Sequence, residues 1–236
     1  MSTFNFKQFT IQQDKTAMKV GTDGVLLGAW APLDNNPYAV LDIGAGTGLI
    51  ALMLAQRSYA EQIDALEIED DAYEQAVDNF ENSPWADRLF CYHAGLDEFM
   101  EEPEDEYDLI ISNPPFYTED YTSGNEQRDT ARFEASLPFE DLAEAAGLLL
   151  SQKGVFAIIL PYKEEANFIG LMKAEGLTPF KITRVKGTPV TEIKRSLMAF
   201  SYTETEVAIN ELVIETARHE YTPEYIALTQ DFYLKM

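Results

Sequence analysis

Over most of its length, the chain alternates short apolar runs with segments of helical spacing, and this alternation limits the folds open to it. Single helices at this spacing between strands indicate βαβ units and therefore a parallel sheet. Strands buried on both faces should be apolar throughout, as residues 109–111 and 155–160 are. The sequence therefore predicts an α/β fold. The predicted strands are residues 38–42, 63–67, 89–93, 107–112 and 155–160, and the predicted helices are residues 49–55, 72–80, 142–150 and 166–174.

The last third of the chain changes character. Strands predicted at residues 178–185, 196–202 and 207–215 follow one another without a helix between them. We expect antiparallel hairpin pairing of these strands at one edge of the sheet. A final helix is predicted to begin at Pro223, with Thr222 as its N-cap. No repeat or low-complexity linker divides the 236 residues, so we expect a single domain over residues 1–236.

The composition excludes several classes of protein. An apolar fraction of 46% is incompatible with a disordered or fibrous chain. The single cysteine, Cys91, excludes an intramolecular disulfide framework and a cysteine-based zinc cage. The sequence shows neither a signal peptide nor an apolar run near the ~18 residues that a membrane span needs. We therefore expect a reduced, soluble, cytoplasmic monomer that uses no metal and binds no membrane.

A glycine-rich turn, Asp42-Ile43-Gly44-Ala45-Gly46-Thr47-Gly48, joins a predicted strand to a predicted helix. Glycine at alternate positions permits positive φ and a close approach of the backbone to a ligand, although a turn that merely needs glycine is the simpler alternative. A dinucleotide-binding loop would need glycine at Leu49, and the G-K-[ST] of a phosphate-binding loop is absent. The pattern resembles the S-adenosylmethionine loop of Rossmann-like methyltransferases.

Glu67 ends the second predicted strand, where a carboxylate can accept both hydrogen bonds from a ribose diol. It could also be one more acid in an acidic stretch, because Glu69, Asp70 and Asp71 follow it. Its position at the end of the strand favours Glu67 over these neighbours as a cofactor ligand.

The tetrapeptide Asn113-Pro114-Pro115-Phe116 directly follows the fourth predicted strand. Two prolines would end a strand, because neither has an N–H for the ladder, but this does not account for the flanking Asn and Phe. The motif resembles the N-P-P-[FY] of enzymes that methylate an amino group of adenine, guanine or glutamine.

This motif suits methylation of an amine. The exocyclic amine of a purine is a poor nucleophile because its lone pair is delocalised into the ring. The Asn113 side-chain oxygen and the Pro114 carbonyl can each accept one N–H and so aim the lone pair at a methyl group. Phe116 offers a face on which the base can stack. Positioning and electrostatics carry the rate, and no strong general base is needed.

The resemblance extends over nearly the whole chain. Residues 9–30, the glycine loop, residues 113–116, residues 128–132 and Lys194-Arg195 together resemble the family of bacterial valine-tRNA adenine-N6 methyltransferases. The resemblance implies a class I methyltransferase fold with a seven-stranded, mostly parallel sheet, helices on both faces and an antiparallel edge strand. It implies methyl transfer from S-adenosyl-L-methionine to N6 of the adenine just 3′ of the anticodon, with S-adenosyl-L-homocysteine as the second product.

The resemblance also assigns roles to residues. The segment 1–37 would close the cofactor site, and Gly95 stands where the family carries an acid that holds the adenine amine of the cofactor. We therefore expect either Asp97 or a backbone carbonyl to accept the hydrogen bond from the adenine amine. The predicted catalytic residues are Asn113, Pro114 and Phe116. The predicted cofactor-binding residues are Lys19, Thr22, Asp23, Trp30, Asp42, Gly44, Gly46, Gly48, Glu67, Asp97 and Asn113.

A net charge of −24 argues against nucleic acid as a partner, but the charge is segregated along the chain. Residues 61–108 carry 18 acids and one base, whereas residues 181–195 carry five bases and one acid. We therefore expect tRNA to meet a basic edge of the protein, with weak and salt-sensitive affinity. The predicted substrate-binding residues are Arg184, Lys186, Lys194 and Arg195, together with Arg128 and Arg132 in the aperiodic segment 113–137.

Three alternatives remain on the sequence alone. Solvated loop charges are the simpler explanation of Arg128 and Arg132. The motif at residues 113–116 also occurs in enzymes that methylate a guanine amine of ribosomal RNA or a glutamine of release factors. The glutamine enzymes generally carry a separate N-terminal helical domain, and here about 37 residues precede the first strand of the predicted sheet. A protein that binds the cofactor without catalysis is the third alternative.

Overall fold

A mixed sheet of eight strands is the centre of the computed structural model, which describes residues 2–16, 18–101, 106–115 and 137–235. The strands are β1 (Thr3–Asn5), β2 (Thr10–Gln12), β3 (Ala39–Ile43), β4 (Gln62–Glu67), β5 (Leu89–His93), β6 (Tyr107–Ser112), β7 (Leu150–Pro161), β8 (Thr178–Lys186), β9 (Ile193–Ser201), β10 (Ala208–Val213), β11 (Glu215–Ala217) and β12 (Glu220–Tyr221). The helices are α1 (Thr22–Trp30), α2 (Leu49–Arg57), α3 (Asp70–Glu81), α4 (Leu96–Glu101), α5 (Phe139–Leu149), α6 (Glu165–Ala174) and α7 (Pro223–Thr229), and a short 3₁₀ turn (Tyr162–Glu164) precedes α6.

Five neighbouring strands of this sheet, in the order β7-β6-β3-β4-β5, run parallel to one another. Every residue of β3 is buried, as a strand covered by helices on both faces requires. The predicted α/β class with a mostly parallel sheet is confirmed. The predicted start of the last helix at Pro223 is also confirmed, and the Thr222 hydroxyl accepts the Tyr225 N–H at 3.2 Å as its cap.

The other end of the sheet corrects two expectations. The strands β8 and β9 form the expected antiparallel pair, but β9 also pairs antiparallel with β7 and so lies inside the sheet. The edge strand is β10, which runs parallel to β8 and raises the count from seven strands to eight. Its backbone pairs the outer N–H and C=O groups of β8, which would otherwise be left open at a sheet edge. The antiparallel strand is therefore internal and not at the edge.

The helices α1 and α2 pack closely against each other on one face of the sheet. Seven consecutive residues of α2, from Leu49 to Ala55, are buried. A Cβ atom added at Gly28 of α1 would lie 2.7 Å from the sulfur of Met53, so glycine permits this close approach of the two helices. On the opposite face, an aromatic cluster joins α6 to the sheet, with the Phe168 ring centroid 5.9 Å from that of Phe156 and 5.8 Å from that of Phe200.

The N-terminal hairpin β1–β2 is fixed to the body of the protein by a buried amide. Asn79 of α3 donates to the Gln12 carbonyl at 3.0 Å and accepts the Gln12 N–H at 2.8 Å. A second attachment comes from the Lys7 N–H, which donates to the Phe232 carbonyl at 2.8 Å. Within the ranges described above, no helix combines the length and apolar character that crossing a bilayer requires.

Candidate active site

Three adjacent strands end within one residue of one another in the sheet register, and a predicted site residue ends or directly follows each strand. Ile43, the last residue of β3, pairs with Leu66 of β4 on one side and with Ser112 of β6 on the other. One residue further along, Gly44 and Asn113 directly follow β3 and β6, and Glu67 is the last residue of β4. Ligands of open α/β sheets bind at the carboxyl ends of the strands, so this alignment brings the predicted cofactor loop, ribose acid and catalytic amide to one site.

The glycine loop adopts the backbone conformation that its sequence predicts. The φ angles of Gly44, Gly46 and Gly48 are +73°, +58° and +76°, a region that favours glycine. The N–H groups of Gly44 and Ala45 donate to the Leu66 carbonyl at 3.0 and 2.9 Å, which ties the loop to β4. A Cβ atom at Gly48 would lie 2.9 Å from Cζ of Phe80, whereas one at Gly46 would have no atom of the described residues within 4 Å. Gly48 thus makes room for a buried ring, and Gly46 leaves space beside the backbone among the described residues.

Backbone hydrogen bonds orient the Glu67 carboxylate. Its Oε2 accepts the Gly46 N–H at 2.7 Å, and its Oε1 accepts the Glu69 N–H at 2.9 Å. Each oxygen retains capacity for a further hydrogen bond. The side chain that the sequence analysis selects among four neighbouring acids is therefore bonded directly to the cofactor loop.

Asp42 lies fully buried beneath the loop. Its Oδ2 accepts the Ala51 N–H in the first turn of α2 at 3.1 Å, and Oδ1 is reached by no hydrogen-bond donor among the described residues. Burial raises the pKa of this carboxyl to about 7; the hydrogen bond from Ala51 opposes the shift and the nearby Glu67 charge adds to it. A buried acceptor with one open position suits a ligand that brings a donor.

Asn113 lies where α1, α2 and β6 meet. A Cβ atom at Gly24 would lie 3.1 Å from Cδ2 of Leu49 and 3.8 Å from Nδ2 of Asn113, so the first turn of α1 lies against the Asn113 amide. The hydroxyl of Ser112 donates to the Ile43 carbonyl at 2.9 Å and fixes the end of β6 to the end of β3. Pro114 is buried.

Both ends of the predicted substrate loop lie at this site. The described residues end at Pro115 and resume at Leu137, whose Cδ2 would lie 3.9 Å from a Cβ atom at Gly44. Phe116, Arg128 and Arg132 fall outside the described residues, so their predicted roles stay predictions.

Asp97 occupies the space that Gly95 leaves open. A Cβ atom at Gly95 would lie 2.5 Å from Oδ1 of Asp97 and 3.5 Å from Cδ1 of Ile68. The Asp97 carboxylate, in the first turn of α4, therefore lies where an acid at position 95 would begin its side chain.

The predicted cofactor-binding residues of the N-terminal segment lie at two different places. Some lie near the start of α1, and Trp30 lies at its other end. Thr22 and Asp23 begin α1 beside Asn113, and Oδ2 of Asp23 accepts a hydrogen bond from Nε of Arg195 at 2.8 Å. Lys19 is exposed, three residues before the helix. Trp30 is not at the site, contrary to expectation: it ends α1, about 12 Å along the axis from Thr22, and its indole N–H donates to the Thr183 hydroxyl at 2.9 Å.

Besides Arg195, which is paired with Asp23, two of the predicted substrate-binding bases are paired with acids. Arg184 donates two hydrogen bonds to Glu165, at 2.7 and 3.2 Å, and the ammonium of Lys186 lies 2.8 Å from the Glu211 carboxylate. Both bases lie on β8, beside acids that are 19 and 25 residues away in the sequence. Lys194 is exposed, next to Arg195 at the start of β9.

Sequence analysis missed one residue of the site. Asn79 donates through Nδ2 to the Thr47 carbonyl of the glycine loop at 2.9 Å, in addition to its two bonds with Gln12. This amide thus joins the cofactor loop to the N-terminal hairpin. The available signal was a polar residue on the buried face of α3, between Ala76 and Phe80.

Comparisons with known proteins agree with this geometry. Residues 25–165 match the family model described as methyltransferase small domain. The chain is 71% identical over 234 residues to the tRNA1(Val) (adenine(37)-N6)-methyltransferase of Flavobacterium johnsoniae, covering 99% of this chain and 100% of that protein. It is 40% identical to the protein of the same name from Yersinia pseudotuberculosis, covering 98% and 92% of the two chains.

The solved structures support the fold. A protein described as a predicted O-methyltransferase from Agrobacterium tumefaciens superposes with a TM-score of 0.69 at 20% identity. The match covers 89% of this chain and 96% of that one.

Proposed function

The chain belongs to the tRNA1(Val) (adenine(37)-N6)-methyltransferase family, and on that premise we propose how its residues carry out methyl transfer to N6 of adenine 37 in valine tRNA. The observation that carries the proposal is the shared level of Gly44, Glu67 and Asn113 on three adjacent parallel strands. This places a loop suited to a nucleoside cofactor directly beside an amide suited to an exocyclic amine.

The residues around the loop fit S-adenosyl-L-methionine, which supplies an electrophilic methyl group when bound. Glu67 would accept the two ribose hydroxyls, and the open space at Gly46 leaves room for the cofactor against the backbone. Asp97 would take the adenine amine in place of an acid at position 95. The buried Oδ1 of Asp42 would strengthen the site through a hydrogen bond from the cofactor or from a water beside it.

Asn113 and Pro114 would hold the target amine. The Asn113 side-chain oxygen and the Pro114 carbonyl each accept one N–H, so that the nitrogen lone pair points to the methyl group. Pro114 has a fixed φ and no N–H of its own, and burial at the end of β6 keeps its carbonyl in place. The methylated amine is strongly acidic and gives its proton to water, so orientation within a preorganised site provides the acceleration. Phe116 would stack on the adenine.

The charge distribution fits an approach of the RNA from the β9 side. The acid-rich stretch 61–108 contains β4 and β5 at one end of the sheet, whereas β8 and β9 at the other end carry most of the bases of residues 181–195. Lys194 and Arg195 lie beside the first turn of α1, where they would contact the phosphates of the anticodon loop together with Arg128 and Arg132. Arg184, Lys186 and Arg195 are each paired with an acid, so these three would contribute less than the exposed Lys194. We place this activity in the cytoplasm.

The test is incubation of the protein with labelled S-adenosyl-L-methionine and total tRNA from a strain that lacks it, followed by nucleoside analysis. We expect N6-methyladenosine confined to one tRNA. A methylated guanine, methylated protein or no product would refute the proposal.

Two variants test the assigned roles in the same assay. Asn113→Ala should abolish transfer and leave cofactor affinity within a few-fold, whereas Asn210→Ala, at an exposed position on β10, should leave both unchanged. Full turnover by Asn113→Ala would refute the role of the amide.

A further inference from the structure

An aromatic ring stands beside the active site without a role in the chemistry described above. Tyr162 follows the last residue of β7 and is 38% exposed. Because Ser112 pairs with Ile158, Pro161 lies two residues further along the strand direction than Asn113. At about 3.3 Å per residue and about 4.8 Å between strands, Pro161 lies roughly 8 Å from Asn113, and Tyr162, the next residue, roughly 11 Å from it, on the β9 side of the site.

A buried carboxylate holds the surroundings of this ring in place. Glu165 is 7% exposed, accepts two hydrogen bonds from Arg184, and accepts a third from the Ser196 hydroxyl. The guanidinium carbon of Arg184 lies 5.4 Å from the centroid of the Tyr162 ring. Three strands and the start of α6 therefore combine to fix one cation against one exposed aromatic ring.

Cohesion of β7, β8 and β9 alone does not explain this arrangement. A buried ion pair contributes little net stability compared with apolar side chains of similar volume. The strands are already joined by continuous backbone pairing from Phe156 to Pro161 and from Thr178 to Lys186. A preordered ring with an exposed face is what recognition of a flat, unpaired base requires.

We propose that Tyr162, positioned by Arg184 and Glu165, is the stacking platform for the unpaired nucleobase next to the target adenine in the substrate RNA. The inference rests on the proposed function and adds a second base-binding position to it. Extrusion of the target base separates it from its neighbours, so a neighbour that loses its stacking partner gains one on the protein. The platform lies on the β9 side of Asn113, toward Lys194 and Arg195.

The first experiment measures steady-state methylation of a valine-tRNA anticodon stem-loop by single variants. Tyr162→Ala should raise KM for RNA about 5- to 150-fold, the range that loss of one base–aromatic stack gives, with cofactor affinity unchanged. Tyr162→Phe should retain wild-type KM because stacking uses the ring. Tyr59→Ala is the matched control: Tyr59 is 99% exposed and precedes β4, at the N-terminal ends of the parallel strands, opposite the end that carries Asn113.

The second experiment identifies the base. Stem-loops that lack the base immediately 5′ or 3′ of adenine 37 are compared with wild type and Tyr162→Ala. One of the two abasic RNAs should raise KM for wild type and add nothing to the effect of Tyr162→Ala. Arg184→Met should weaken RNA binding when Tyr162 is present and have no further effect in Tyr162→Ala, as expected of a positioning residue.

The outcomes separate the two proposals. If wild type methylates no RNA, the proposed function fails. If wild type is active and Tyr162→Ala has wild-type KM, or Tyr162→Phe is as impaired as Tyr162→Ala, the platform is refuted. It is also refuted if Tyr162→Ala raises KM by the same factor on both abasic RNAs as on the intact stem-loop.

Discussion

The substitution Gly48→Ala tests how the glycine loop packs against the core of the protein. The residue has φ of +76° at the start of α2, and its missing side chain makes room for the Phe80 ring. An added Cβ would lie 2.9 Å from Cζ of Phe80 and closer still to Cε1. Phe80 is 2% exposed, so the ring cannot turn into solvent to avoid it.

Two effects set the magnitude. A residue with a Cβ in the left-handed region is destabilised by about 1–2 kcal/mol. Forcing an extra carbon into a packed core adds about 1–3 kcal/mol. Gly48→Ala should therefore lower the free energy of unfolding by about 2–5 kcal/mol. This is a large part of the total stability of a typical domain, which is about 5–15 kcal/mol.

Gly46→Ala is the matched control, because the φ of Gly46 is also positive but an added Cβ would meet no atom within 4 Å among the residues that the structure describes. It should lose only the conformational contribution of about 1–2 kcal/mol. Its methyl group would instead project into the space assigned to the cofactor, so cofactor affinity should fall although the fold is kept. A second control is Gly170→Ala in α6, where the open surroundings predict a gain of about 0.5–1 kcal/mol.

The assay is urea unfolding of the cofactor-free proteins, with the midpoint compared at an unchanged slope. A double-mutant cycle with Phe80→Leu should show that a smaller side chain at position 80 recovers part of the Gly48→Ala loss. Equal losses in Gly48→Ala and Gly46→Ala would refute the steric role of Phe80. Unchanged cofactor affinity in Gly46→Ala would refute the placement of the cofactor over the loop.

Two further predictions concern the acids of the site. The pKa of Asp42 is about 7 in the folded protein and 3.8 in the unfolded chain, so the free energy of unfolding should fall by at most about 4 kcal/mol as pH rises from 3.8 to 7. Asp42→Asn should flatten this dependence on pH in urea unfolding. The same dependence in the variant and in the wild type would contradict the assignment to Asp42. Asp97→Ala should weaken cofactor binding about tenfold or more by calorimetry, with Glu98→Ala as the neighbouring exposed control; equal affinities of the two variants would leave the adenine amine without its assigned partner.

The parts of this structure that sequence predicts well depend on local pattern. The parallel strands carry apolar runs, so their positions follow from periodicity. Gly44 and Asn113 directly follow such strands and Glu67 ends one, so parallel pairing brings their positions to one edge of the sheet.

The errors come from relations between distant segments. Periodicity marks β9 as a strand but does not record that it inserts between β7 and β8. Likewise, the pairing of Arg184 with Glu165 and the contact of Asn79 with Thr47 join residues that are far apart in sequence. Trp30 was assigned from resemblance alone, and the length of α1 places it away from the loop.

The central claim is that one exocyclic amine, on adenine 37, receives the methyl group. The most direct measurement compares two unmodified tRNA1(Val) transcripts, one with adenine at position 37 and one with unsubstituted purine, which lacks that amine. We expect one methyl group per adenine-37 transcript, recovered as N6-methyladenosine, and none on the purine-37 transcript. Equal methylation of the two transcripts, or none on either, would contradict it.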